Sequence, residues 1–288
     1  MKKYTLTLLL TAAPLFAGTP APVAPAPQYN SEQGFTLGLE PMLLRPFVSS
    51  GGFDQSNYEF AGRGSLGYQF ADGLFVKATY FGYGTDTVDH TDITTGTSGY
   101  LDQYSGRMSA SYIDLVIGQN FKPTETLKLS PYVGLRWVNY QAGYTDFETS
   151  PYPVVSTTTT RPYYAERDDF EGLGIVLGID ATRALGENFS IYGTAKETVA
   201  FGTSKYAYKY GSSIVTTENS SDTVVSISEL GLGVQYDFCF SNVAANIRLG
   251  VEGQWWAGVG GASGVGSGSG GSENVGLAGF VLGANFRF

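Results

Sequence analysis

The chain has 288 residues, 14% of them aromatic, and carries 26 acidic against 17 basic side chains, a net charge of −9. That acidity excludes a nucleic-acid binder, because phosphate recognition needs a basic footprint. One cysteine, Cys239, excludes an internal disulfide, and a single histidine far from it in sequence excludes a zinc site.

The first segment, MKKYTLTLLLTAAPLFAGTPA, has two lysines, an apolar run and then small residues. It reads as a secretory signal peptide over residues 1–17, with the apolar run too short to span a bilayer as a helix. A Pro/Ala-rich leader follows over 18–33, extended and without a core of its own. Past this point no long unbroken apolar run occurs, which disfavours a helical membrane protein.

From residue 34 onward the pattern is period two. The clearest case is ANIRLGVEGQWWA: Ala245, Ile247, Leu249, Val251, Gly253 and Trp255 on one face, Asn246, Arg248, Gly250, Glu252 and Gln254 on the other. Such a split marks a strand with one face in an apolar medium. The same reading gives ten strands, near 34–47, 57–71, 74–88, 104–122, 127–147, 164–184, 189–206, 223–240, 244–259 and 274–288. Their connections alternate in length. Short ones are Ala71–Gly73, the PTET region, Leu185–Asn188 and Phe240–Val243. Long ones are SSGGFDQSN, TDITTGTSGY, SPYPVVSTTTTRPYY, YGSSIVTTENSSD and GGASGVGSGSGGSE.

Short turns on one side and long polar loops on the other point to an all-β fold: a transmembrane antiparallel up-and-down barrel of about ten strands over 34–288. A soluble sandwich would have shorter strands and no cause for that alternation. The last strand carries Ala278, Phe280, Leu282, Ala284, Phe286 and Phe288 on one parity. Phe286 and Phe288 fit a C-terminal insertion signal, with Phe288 at the periplasmic aromatic girdle.

Register follows from cost, since Lys or Arg facing lipid at the midplane costs about 2–4 kcal/mol. Each mid-strand charge should therefore face inward: Glu40, Arg63, Lys77, Asp114, Arg136, Asp180, Lys196, Glu229, Arg248 and Glu252. One segment resists. In YGTAKETVAF, Lys196 and Glu197 are adjacent, so either a β-bulge turns both inward or Glu197 lies above the midplane. Five acids and five bases then face a backbone cylinder of roughly 10 Å radius. Two readings stay open: charges that pair and seal the interior, or an aqueous passage lined by them. The surplus acids, Asp86, Asp89, Asp92, Asp102, Asp146, Glu148, Glu166, Asp168, Asp169 and Glu218, fall in the long loops. They outnumber Arg161, Arg167, Lys205 and Lys209 there, and an acidic mouth would favour cations.

The segments GRGSLGYQFADGLFVKATYF, YIDLVIGQNF, PYVGLRWVNY, EGLGIVLGIDATRALGENFSIYGTAKETVAFG and GLAGFVLGANFRF, taken in order, resemble the Legionella-type pore-forming outer membrane proteins. The resemblance covers most of 34–288 and implies a porin-like barrel with no catalytic residues to carry over.

The function expected is passive passage of small hydrophilic solutes with a weak cation preference. The alternative is a non-conducting structural or adhesive barrel that acts through its loops. An enzyme would have to rest on His90 in VDHTD, beside Asp89 and Asp92, and no second acidic pair accompanies it. No catalytic, cofactor-binding or metal residues are assigned, and no cofactor. Expected partners are outer-membrane lipid, periplasmic chaperones and the barrel-assembly machinery, with no nucleic acid. The expected location is the outer membrane.

Overall fold

The computed structural model describes residues 33–48, 57–86, 90–94, 100–149, 160–210, 216–240, 243–260 and 273–288. The signal peptide and residues 18–32 of the leader lie outside them. The described chain is all strand: β1 Gly34–Val48, β2 Glu59–Gln69, β3 Leu74–Asp86, β4 His90–Thr94, β5 Tyr100–Gln119, β6 Leu127–Thr149, β7 Thr160–Ala184, β8 Phe189–Tyr210, β9 Thr216–Phe240, β10 Val243–Gly260 and β11 Glu273–Arg287. Consecutive strands pair antiparallel except β3 and β4; β1 pairs β11 and β3 pairs β5, so ten strands close on themselves.

β4 stands outside that cylinder. It is a short hairpin arm on the upper end of β5, with His90 opposite Tyr104 and Thr94 opposite Tyr100. The sequence places this segment in a loop, and its Thr-rich polar pattern carries no apolar face that would betray a strand. The same correction applies to the neighbouring loops. β6, β7, β8 and β9 run past their expected upper ends to Thr149, from Thr160, to Tyr210 and from Thr216. Of the ten acids read as loop residues, nine have their backbone in strands, and Asp89 lies outside the described residues.

The tilt of the strands is written in the register. Starting at Thr36, the pairings lead through Gly67, Lys77, Val116, Gly134, Val176, Thr198, Ile227, Trp256 and Val275 to Val48. One circuit therefore climbs from position 36 to position 48 on β1, a stagger of 12 residues. A ten-stranded cylinder with that stagger has strands tilted about 40°. The outer face is apolar: Leu37, Leu66, Leu115, Leu135, Ile175, Leu232, Leu249 and Leu282 are each more than a third exposed on it. At the lower rim, aromatic pairs Phe35–Tyr68 and Phe189–Tyr236 meet edge to face with centroids 5.0 Å apart. Phe288 stands there too, its N–H donating to the Phe35 carbonyl at 3.0 Å.

β8 contains no bulge. It pairs without a register shift to β7 and to β9, so the adjacent Lys196 and Glu197 point to opposite faces. Lys196 goes in and Glu197 goes out.

Candidate functional site in the barrel interior

All ten mid-strand charges lie on the inner side of the wall, and seven of them meet. Arg136 on β6 is directly opposite Asp114 on β5 and is fully buried. Its Nε and Nη2 donate to the two Asp114 oxygens at 2.6 and 2.7 Å, a forked pair of charge-assisted bonds. Its Nη1 donates to Glu229 Oε1 at 2.5 Å. The other oxygen of Glu229 accepts from the Tyr112 hydroxyl at 2.9 Å, Lys196 Nζ at 3.1 Å and Arg63 Nη2 at 3.1 Å. Arg63 then spans to Glu40 at 2.9 Å and to both oxygens of Glu252 at 2.9 and 2.5 Å.

Four acids and three bases thus form one continuous network around Glu229, joining β1, β2, β5, β6, β8, β9 and β10. Because the register climbs 12 residues over ten strands, residues distant along their own strands share a height. The seven fall within about 7 Å of one another along the barrel axis, at ~3.3 Å rise per residue and ~40° tilt. They form a septum. Taking such charges out of water is costly, and only dense mutual bonding offsets it. Tyr112 supplies part of that bonding, and sequence reasoning missed it. Its buried ring stacks on Phe81 at 5.0 Å and lies 3.6 Å from the Arg136 guanidinium.

Below the septum the interior is polar and spacious. A cavity of about 1380 Å³ reaches the periplasmic turns at Thr124, Glu125 and Glu187 and is roofed by Glu40, Arg63, Asp114 and Lys196. The remaining three charges stand in its wall. Lys77 faces Asp180 at 3.7 Å, with side chains 30% and 27% exposed. Arg248 donates to Gln235 at 2.7 Å and sits 5.0 Å from the Tyr192 ring.

Above the septum the interior is filled. Met42, Leu44, Phe81, Tyr83, Met108, Tyr112, Val138, Tyr140, Phe170, Ile227, Trp256 and Leu277 belong to one buried apolar cluster inside the barrel. A short relay ties it to the septum: Trp256 Nε1 donates to Gln254, and Gln254 donates to Glu252, at 3.0 and 2.8 Å. Sequence reasoning did not find this fill. Its signal is present in the sequence, where both parities turn apolar in the upper half of a strand, as in Leu43–Leu44, Val224–Val225 and Trp255–Trp256.

The matching family model is that of the Legionella pneumophila major outer membrane protein precursor, over residues 28–288. The chain belongs to this family. No curated protein matches the sequence. Among solved structures, the outer membrane protease OmpT of Escherichia coli is 11% identical, with a TM-score of 0.50 over 91% of this chain and 98% of that one. A major outer membrane protein of Thermus thermophilus is 14% identical, with a TM-score of 0.40 over 89% and 100%. Ail, the attachment invasion locus protein of Yersinia pestis, is 11% identical, with a TM-score of 0.32 over 89% and 99%. The first of these is a likeness of fold alone. Fold and family together make the chain an outer-membrane β-barrel.

Proposed function

We propose that the protein is a porin-like outer-membrane barrel that is shut at rest and passes small hydrophilic solutes only when its septum rearranges. The observation that carries this reading is the abrupt change of the lumen at the septum, from a polar cavity of about 1380 Å³ to a buried apolar fill. Solutes reach Arg63 and Lys196 from the periplasmic side and stop there. Opening requires the carboxylates of Glu229 and Glu252 to exchange partners, and the aromatic side chains above them to move aside. The septum carries four acids against three bases, and the cation preference is accordingly weak.

The chain is read as delivered by its N-terminal signal peptide and inserted by the barrel-assembly machinery, with Phe286 and Phe288 as recognition elements. The rival reading, an enzyme, would rest on the single histidine, His90, whose backbone lies in β4 opposite Tyr104.

Conductance of the folded protein in planar bilayers tests the proposal. Long silent periods broken by brief small openings are expected. A steady large current would refute the closed resting state. A second reading, a permanently closed structural barrel, is favoured by the apolar fill itself. Silence that persists in an Arg136→Gln variant would select it.

A further inference from the structure

The cavity below the septum has two unlike walls, and a loose ion pair stands at their boundary. Register and tilt bring Lys77, Tyr132, Asp180 and Arg248 to within roughly 4 Å of one height. On one wall Phe75, Val116 and Tyr132 belong to a small apolar cluster, and all three line the cavity. The Tyr132 ring lies over Gly178, where an added Cβ would collide with it. Its buried hydroxyl has no hydrogen-bond partner among the described residues. Lys77 Nζ stands beside this ledge, 5.2 Å from the Tyr132 ring and 5.9 Å from the Phe75 ring. The nearest Asp180 oxygen is 3.7 Å from that ammonium, so the two attract without a hydrogen bond. On the facing wall, the Arg248 guanidinium uses only Nε among the described residues, toward Gln235.

The pair thus offers one positive and one negative point beside an apolar ledge, both reachable by water. Its complement is a molecule with a carboxylate, an ammonium at similar spacing and an apolar group to one side. In an α-amino acid the nitrogen and the carboxyl carbon are ~2.5 Å apart across a single carbon. Each can therefore meet its opposite charge at the same moment, and charge-assisted bonds replace a contact too long to be one. A simple anion or cation answers only half of the pair. A neutral sugar answers neither half by charge.

We infer that the vestibule is a binding site for α-amino acids with apolar or aromatic side chains. Asp180 takes the ammonium, Lys77 takes the carboxylate, and the ledge of Phe75 and Tyr132 takes the side chain. Arg248 adds a second positive charge that draws the carboxylate inward. This names the solute class of the passage proposed above and rests on that reading only for the solute being carried. Binding itself needs no opening, because the cavity already reaches the periplasmic turns.

The test is calorimetric titration of the full folded chain in lipid nanodiscs, with empty nanodiscs as the blank. L-phenylalanine should bind with a Kd of about millimolar order. Phenylacetate, which lacks the ammonium, should bind about tenfold more weakly, phenethylamine more weakly still, and glycine should lose the contribution of the ledge. Asp180→Asn and Lys77→Met, both conservative in shape and outside the buried septum, should each weaken L-phenylalanine about tenfold or more while the heat-modifiable folded band is retained. The inference is overturned if the folded wild-type protein takes up no L-phenylalanine, if phenylacetate or phenethylamine binds as tightly, or if Asp180→Asn binds unchanged. Failure of the passage reading looks different: a barrel that stays silent in bilayers yet binds L-phenylalanine in this order keeps the site and loses the transport.

Discussion

Two ion pairs on opposite sides of one roof obey different physics. Arg136 and Asp114 belong to the septum, with the guanidinium entirely buried. Lys77 and Asp180 stand in the vestibule below, 3.7 Å apart and partly exposed. Both join strands through side chains of opposite charge. In the first, each partner's alternative is an unpaired charge in a dry medium. In the second it is water. The upper lumen is therefore committed to its bonding pattern and the lower lumen is not.

The contrast is broken most severely at Arg136. Arg136→Ala takes the forked donor from buried Asp114 and the donor from Glu229 Oε1, and should destabilise the refolded barrel by about 3–5 kcal/mol in urea titration. Arg136→Gln should still assemble, with the larger part of that loss and more frequent openings in bilayers. Next comes the fill. Trp256→Ala removes a fully buried indole and should cost about 3–5 kcal/mol. Charging the outer wall is comparable in size but acts on insertion. Ile179→Lys or Leu249→Lys should cost about 2–4 kcal/mol at the midplane and less towards the rims, read as lost heat-modifiable product. The smallest effect belongs to the vestibule. Lys77→Ala should change stability by about 0–1 kcal/mol, and raising the salt concentration should shrink even that. Equal losses at Lys77 and Arg136 would erase the distinction between the two halves.

The fold was legible because one face of every strand meets lipid, and that leaves a period-two record such as Ile247, Leu249 and Val251. The placement of single charges was legible for the same reason, since Arg136 between Leu135 and Trp137 has one tolerable direction. Their assembly was not. Arg63 and Glu252 are 189 residues apart in sequence, and what brings them level is the 12-residue stagger, which no strand encodes alone. The filled upper lumen escaped notice because Met42 or Trp256 facing inward looks, strand by strand, like a lapse in alternation rather than a packed layer. Tyr112 was hidden by kind: a tyrosine in an aromatic-rich barrel carries no flag, and its role comes from what Arg63, Lys196 and Glu229 do around its hydroxyl.

The seam where β1 meets β11 has a bearing on how the molecule comes to exist. Thr36 pairs with Arg287, and Gly34 packs so tightly on the Phe288 carbonyl that an added Cβ would collide with its oxygen. Every other neighbouring pair in the cylinder can form between segments close in sequence, whereas this one waits for nearly the whole chain. Contacts of such separation are slow, because the entropy of joining the ends is lost before any bond rewards it. Until that moment the sheet has two bare edges, each a template for another chain. The interval between synthesis of the first strand and capture by the last is thus the period in which this protein is most exposed to aggregation. A change at Gly34 that lengthens the interval would lower yield without altering a single contact in the septum.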